Sequence, residues 1–228
     1  MKSAQYWLDV VSHNLANVST TGYKRQGVAF NDTLTRAMYG EGGRYLGELG
    51  AGTTLQREYT VMDVGSVTTT GNMLDVAIQS REGFFAIETG EGIRYTRDGS
   101  FSLNANRELV TKDGHLVLDQ QENAIVLPSG QIEINTDGAV SVDGTAVGTL
   151  GVFDGAVVKS GSGLFIGQDM QRLNSPSLLP GAIEGSNVNA IEQMIEMIRL
   201  NRIYEMAQRS AQGQDEMTQK LIQSIQNR

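Results

Sequence analysis

His13 follows Ser12 and stands four residues after Asp9. These are the residue types from which a nucleophile, its base and an orienting acid are built. Their spacing argues against that use. On a helix, neighbouring residues project about 100° apart, so His13 cannot take the Ser12 proton and reads as a helix-surface histidine. The other histidine, His115, follows an Asp-Gly pair and opens a strand-like run, where a solvated position is expected. Asp143 and Asp154 are the right types for acid–base work. They fall in separate turns, with no apolar setting to make one an acid and the other a base. No D-x-[DN]-x-[DN]-G series accompanies the Asp-Gly pairs, so they read as turns rather than calcium loops. The glycine-rich stretch GEGGRYLGELGAG, 40–52, matches neither phosphate-cradling pattern and reads as an extended connector. With no cysteine and two histidines, disulfides, zinc–thiolate centres, Cys nucleophiles and His-rich metal sites are excluded. No catalytic, cofactor-binding or metal residue is assigned, and the chain reads as a non-enzyme that needs no cofactor.

The elements must therefore position something other than chemistry. A chain of 228 residues buries a real core as one elaborated domain or two small ones. Its net charge of −8 disfavours a phosphate backbone as partner. The longest apolar runs, such as AIVLP at 124–128, fall far short of the roughly 20 residues of a membrane span. Asp9, Ser12, His13 and Asn14 break up the N-terminal run, so no secretory-signal core is read there. The expectation is a cytosolic chain, or one exported without a cleaved signal.

Ala4, Leu8, Val11, Leu15 and Val18 are spaced 4, 3, 4 and 3, a heptad seam that predicts an N-terminal helix, with Gly22 placed to end it. From about Thr54 to Gly167 the period becomes two. Leu74, Val76 and Ile78 alternate with polar or small residues, and Ile132, Ile134, Val140 and Val142 repeat the theme. Asp-Gly at 98–99, 113–114, 137–138, 143–144 and 154–155 predicts hairpins, hence a compact antiparallel β-domain. A second long helix follows Asn189, with Glu192 three residues on as in a capping box. Ile191, Met194, Ile195 and Ile198 share one face of it, and Leu200, Tyr204, Ala207, Ala211, Leu221 and Ile225 lie on roughly the opposite one. The fold class is thus mostly β with terminal α-helices that pair as a coiled coil. The expected organisation is an N-terminal helix and signature loop over 1–30 and an extended connector over 31–72. A β-rich domain over 73–172, a return connector over 173–186 and a C-terminal helix over 187–228 follow. The face bearing Leu200, Tyr204, Leu221 and Ile225 is expected to stay uncovered and to meet another copy.

The polar stretch HNLANVSTTGYKR, 13–25, follows the first seam. Asn14 and Asn17 have two readings, helix capping and register-fixing at a contact between chains.

Three blocks resemble one family. NLANVSTTGYKR resembles the N-terminal signature of the bacterial flagellar rod and hook proteins. LDVAIQSREGFFAIET with YTRDGSFSLNANRELVTKDGHLVL resembles the opening of their β-domain, and EGSNVNAIEQMIEMIRLNRIYEMAQ their C-terminal signature. The blocks stand in family order and span nearly the whole chain. The resemblance is to basal-body rod proteins of the FlgF/FlgG type, with EGSNVNA and RIYEMAQ leaning towards the proximal rather than the distal rod. It also implies a longer lead ahead of WLDVVSHNLANV than the residues Met1–Tyr6 seen here. It implies an inner coiled-coil domain lining the export channel, an outer β-domain, and helical stacking into a torque-transmitting, periplasm-spanning rod. It implies export by the flagellum's own apparatus, without a cleaved signal. The implied partners are other copies, neighbouring axial proteins of rod and hook, and that apparatus, with no nucleic acid and no membrane span. The residues expected at the assembly interface are Leu8, Val11, Asn14, Leu15, Asn17, Val18, Gly22, Tyr23, Lys24, Ile191, Met194, Ile198, Leu200, Tyr204, Leu221 and Ile225. Alternatives are a hook-type or other axial subunit and, less favoured, a glycan hydrolase or surface-binding module on a β-scaffold. The hydrolase needs a carboxylate pair in a cleft, for which the sequence offers no candidate.

Overall fold

A computed structural model describes residues 2–32, 35–39, 45–50, 53–161 and 163–226. The chain divides into two compact units. The first comprises Met1–Ala16, Gln26–Tyr59 and Asn189–Arg228, and the second Asn17–Arg25 and Thr60–Val188.

In the first unit, helix α1 spans Lys2–Ala16 and helix α2 spans Ala190–Gln226. The N-cap expected at Asn189 is present: its Oδ1 accepts the Ile191 and Glu192 amides at 3.1 and 3.4 Å. At about 1.5 Å per residue, α2 extends roughly 55 Å. α1 packs on α2 and on strand Gln26–Asp32. Val10 and Val11 of α1 and Leu200 of α2 are buried. The seam ends earlier than expected: α1 stops at Ala16, and Val18 lies in the turn that follows. Part of the stretch expected as a connector over 31–72 is paired strand. Gln26–Asp32 pairs with Thr53–Thr60, and Thr35–Tyr39 pairs antiparallel with Tyr45–Gly50. Backbone hydrogen bonding needs no apolar periodicity, so glycine-rich sequence hid these strands. Residues 40–44, 51 and 52 of the glycine-rich stretch lie outside the described residues.

The second unit is the expected antiparallel β-structure. Strand Val152–Lys159 pairs with Leu164–Arg172 and with the start of Phe84–Thr89, while Gly92–Thr96 joins Phe84–Thr89 to Leu164–Arg172. These four strands form a closed circuit. Leu116–Val117, Leu109–Thr111 and Phe101–Leu103 extend the sheet, and a three-stranded meander runs through Ile132–Ile134, Ala139–Val142 and Thr145–Thr149. Residues 173–186, expected as a return connector, supply two more strands. Leu178–Pro180 pairs with Val76–Ile78, and Ala182–Glu184 with Val67–Thr69.

Strand Phe84–Thr89 serves two cores. Phe85 and Ile87 join the larger, with Leu109, Val117, Leu150 and Val152. Phe84 and Ala86 join the smaller, with Tyr95, Phe153 and Phe165. Alternate residues point to opposite faces, so a strand buried on both sides must read FFAI without a polar partner series. Three of the five Asp-Gly pairs join adjacent paired strands as expected, at 113–114, 137–138 and 143–144. Two do not. Asp154-Gly155 lies inside a strand where the register shifts. Asp98-Gly99 links strands that pair with other partners, and the Gly99 carbonyl accepts the Val76 amide at 2.9 Å.

Phe85 is fully buried and meets Phe101 edge-on at 5.1 Å between ring centroids. Phe85→Ala should cost about 3–5 kcal/mol of β-unit stability, read as a lowered midpoint in denaturant titration followed by Trp7-independent near-UV circular dichroism.

Candidate assembly interface

The signature stretch is consumed by the fold of the β-unit. After α1 the chain makes successive turns, with the Thr20 amide donating to the Asn17 carbonyl at 3.2 Å and the Tyr23 amide to the Thr20 carbonyl at 3.3 Å. Thr20 Oγ1 adds a bond to Asn17 Oδ1 at 3.2 Å. Gly22 does not end the helix, as the sequence suggested. Its φ of +67° carries the chain closely past Arg97 and Asp98, where a Cβ would collide with backbone. Tyr23 and Lys24 follow it into the interior, each 1 % exposed.

Lys24 ends on a carboxylate. Its Nζ lies 2.6 Å from Glu184 Oε1 and donates to the Asp63 carbonyl at 2.8 Å. Glu184 Oε1 also accepts the Gly65 amide at 2.9 Å, and the Glu184 carbonyl accepts the Gly22 amide at 2.7 Å. Arg97 faces Glu184 Oε2 across 3.5 Å, an ion pair longer than a hydrogen bond. The side chains of all three are 0 % exposed. Arg97 is further held by the carbonyls of Ser80, at 2.8 Å, and Arg81, and stands over the Phe84 ring at 5.0 Å. Burial pushes the Lys24 ammonium below the usual lysine range, and the Glu184 hydrogen bond and charge oppose that push. Burial lowers Arg97 in the same way, again against Glu184. Two cations thus share one carboxylate in a fully buried setting. Charge, hydrogen bonds and backbone carbonyls are spent inside the chain, so Gly22, Tyr23 and Lys24 are not an open contact surface.

Asn14 is also engaged internally. Its Nδ2 donates to the Gln26 carbonyl at 2.8 Å and to Gln193 Oε1 at 3.1 Å, and its Oδ1 accepts the Gln26 amide at 2.9 Å. A buried asparagine does fix a register here, between the end of α1, the first strand and the start of α2 of the same chain. Leu8 and Leu15 are half-buried beside buried Val11.

The two faces of α2 are used in the reverse of the expected way. Leu200 is 2 % exposed, and Tyr204 and Ala207 on its face are half-buried. The open face carries Ile191 at 70 % exposure with Met194, Ile195 and Ile198. Helical periodicity shows that two faces exist and does not show which of them α1 covers. A groove of about 650 Å³ runs along the open side, lined by Ile195, Ile198, Arg199, Arg202, Ile203 and Met206. The side chains of Leu221 and Ile225 lie outside the described ones.

The residues first considered for chemistry are placed without a catalytic arrangement. Ser12 Oγ donates to the Leu8 carbonyl at 2.7 Å, as helix serines do, and His13 is exposed. His115 is half-buried in a polar cleft of about 390 Å³ with Ser19, Thr21, Asp98, Lys112 and Asp113. Burial raises the Asp98 carboxyl, against the Ser100 amide that it accepts at 3.0 Å. Among the described residues no cluster of three His, Cys, Asp or Glu side chains is arranged for a metal. Sequence reading missed Glu184, Arg97 and Asn187. Arg97 stood in the block YTRDG, and Glu184 and Asn187 in EGSNVNA, with no partner assigned to any of them.

Glu184→Gln leaves Lys24 and Arg97 buried without an anion and should cost about 3–5 kcal/mol, measured by urea unfolding. Glu91→Gln removes an exposed pair with Arg94 and should leave the midpoint unmoved.

Comparison with known proteins covers these same regions. The family described as "Flagella basal body rod protein" matches residues 1–24, "Flagellar hook protein FlgE/F/G D1 domain" residues 77–142, and "Flagellar basal body rod FlgEFG protein C-terminal" residues 179–224. The flagellar basal-body rod protein FlgG of Bacillus subtilis is 32 % identical over 97 % of this chain and 94 % of its own. FlgG of Borreliella burgdorferi is 31 % identical over 95 % and 92 %. The basal-body rod protein FlgF of Mesorhizobium japonicum is 31 % identical over 94 % and 91 %. The N-terminal match ends at Lys24 and the C-terminal match contains Glu184, so the partners of the buried ion pair fall in two separate family signatures. The chain belongs to the family of bacterial flagellar basal-body rod proteins.

Proposed function

We propose that this chain is a structural subunit of the flagellar basal-body rod and that it polymerises through the open face of α2. The observation that carries the assembly reading is the apolar series Ile191, Met194, Ile195 and Ile198, exposed opposite the side of α2 that bears Leu200. A helix with an apolar face on each side needs two neighbours. α1 supplies one, and a second copy of the chain supplies the other, with the α1–α2 pair extended into a coiled-coil inner layer. A contact that joins this face to a different surface of the next copy does not close on itself, and its repetition gives a helical filament. Arg199 and Arg202 at the groove place positive charge beside the apolar stripe of an acidic chain, which sets the register of the approaching copy.

In this reading the subunit acts by shape and stiffness, with no substrate turned over. Its place is the basal body, reached by the flagellum's own export route, and its neighbours are the other axial proteins of rod and hook.

Ile195→Asp with Ile198→Asp puts two charges into the proposed contact, each costing about 2 kcal/mol or more when desolvated. Sedimentation velocity and negative-stain microscopy should show loss of polymer, and the thermal transition of the β-unit should stay where it is. Polymerisation equal to wild type would remove α2 from the assembly role.

A further inference from the structure

Helix α2 contains a repeat whose period is not seven. Glu205-Met206-Ala207-Gln208-Arg209 returns eleven positions later as Glu216-Met217-Thr218-Gln219-Lys220. Ile195 stands eleven positions before Met206, so Ile195, Met206 and Met217 lie on one line. All three face solvent, at 61, 62 and 70 % exposure. The groove on the open side runs from Ile195 to Met206 and so holds the first two. Eleven residues in three turns give about 3.67 per turn, close to the 3.6 of a straight helix.

The seven-residue continuation of the same face is polar. Ile191 and Ile198 lead at that spacing to Glu205, Gln212 and Gln219, and Ile195 leads to Arg202, Arg209 and Glu216. A left-handed pairing along this side would press charges and amides into the contact after one heptad. The eleven-residue line keeps an apolar residue at each step. Its basic flank, Arg209 and Lys220, lies about 65° to one side, where long stems can cover the stripe and leave their charges wet. Each copy of the repeat also carries one acid and one base, and Arg209 stands 3.9 Å from Glu205. The stripe therefore adds no net charge to a contact between acidic chains.

The other side of α2 has the shorter period. Buried Leu200 and half-buried Tyr204 and Ala207 are spaced 4 and 3, as in the heptad seam of α1. A seven-residue stripe slips around a straight helix by about 20° per repeat, and an eleven-residue stripe slips by a similar angle in the opposite sense.

We propose that the next copy seats a helix along the line Ile195–Met206–Met217 in an eleven-residue register with a right-handed crossing, while α1 holds the opposite side of α2 in a left-handed heptad register. The two slips oppose each other, so α2 stays straight over its 37 residues where either pairing alone would coil it. The inference rests on the polymerisation reading above. It adds the mode of packing and carries the contact from the first turns of α2 into its last third.

The test uses the full chain with one cysteine at a time, on a background that has none. The variants are Ile195→Cys, Met206→Cys, Met217→Cys and Gln219→Cys. All four positions are exposed in the protomer, so the substitutions spare the fold. Maleimide labelling is timed in dilute protomer and in polymer. Positions 195, 206 and 217 should label at least about tenfold more slowly in the polymer, and position 219 at the same rate in both. Slowing at 195 alone, slowing at 219 in place of 217, or equal slowing at 217 and 219 overturns the eleven-residue line and leaves the polymerisation reading standing. A chain that stays monomeric, or a polymer with no slowing at any of the four, overturns both.

Discussion

The carboxylate of Glu184 is the point on which the β-unit closes. It binds Lys24 from the signature stretch, the Gly65 amide from the irregular stretch 61–66, and the charge of Arg97 just past the strand Gly92–Thr96. Each of these partners is itself costly to bury, and the Glu184 carboxylate meets all three. Withdrawing the carboxylate therefore strands two cations, while withdrawing either cation leaves one pair standing. That asymmetry ties the short polar stretch to the interior of the β-unit. TTGYKR looks like a binding motif because its residues are unusual for a loop. They are unusual because Gly22 must pass under Arg97 and Asp98 and Lys24 must reach an interior acid.

The helical unit obeys a different constraint. α2 is apolar on two sides, and α1 accounts for one of them. Val10, Val11 and Leu200 are removed from water within the chain, and the Asn14–Gln193 and Asn14–Gln26 bonds hold the end of α1 in place. What is left is a row of isoleucines and a methionine facing solvent near the start of α2. A contiguous exposed apolar row of this kind marks a contact surface.

Local signals carried most of what could be read from the sequence. The heptad spacing of α1, the Asn189 cap of α2 and the Asp-Gly hairpins at 113–114, 137–138 and 143–144 each depend on residues a few positions apart. The misreadings share the opposite property. Lys24 and Glu184 are 160 residues apart, and neither advertises a buried partner. The strands of the glycine-rich region show no apolar alternation in sequence, so nothing local announced their pairing. Asp154-Gly155 became a register shift inside a strand because its neighbours pair on both sides. Leu200 was assigned to the open face because periodicity separates faces without ranking them. For Asn14 the sequence left capping and an inter-chain register open, and the structure bonds it to Gln26 and Gln193 of the same chain.

The most direct test of the account is a cryo-electron microscopy reconstruction of the polymer formed by the full chain. The account predicts that Ile191, Met194, Ile195 and Ile198 are buried against a neighbouring copy while Lys24, Arg97 and Glu184 keep their contacts within one subunit. A polymer in which that face of α2 stays in solvent, or in which Lys24 pairs with an acid of a neighbouring copy, would contradict it.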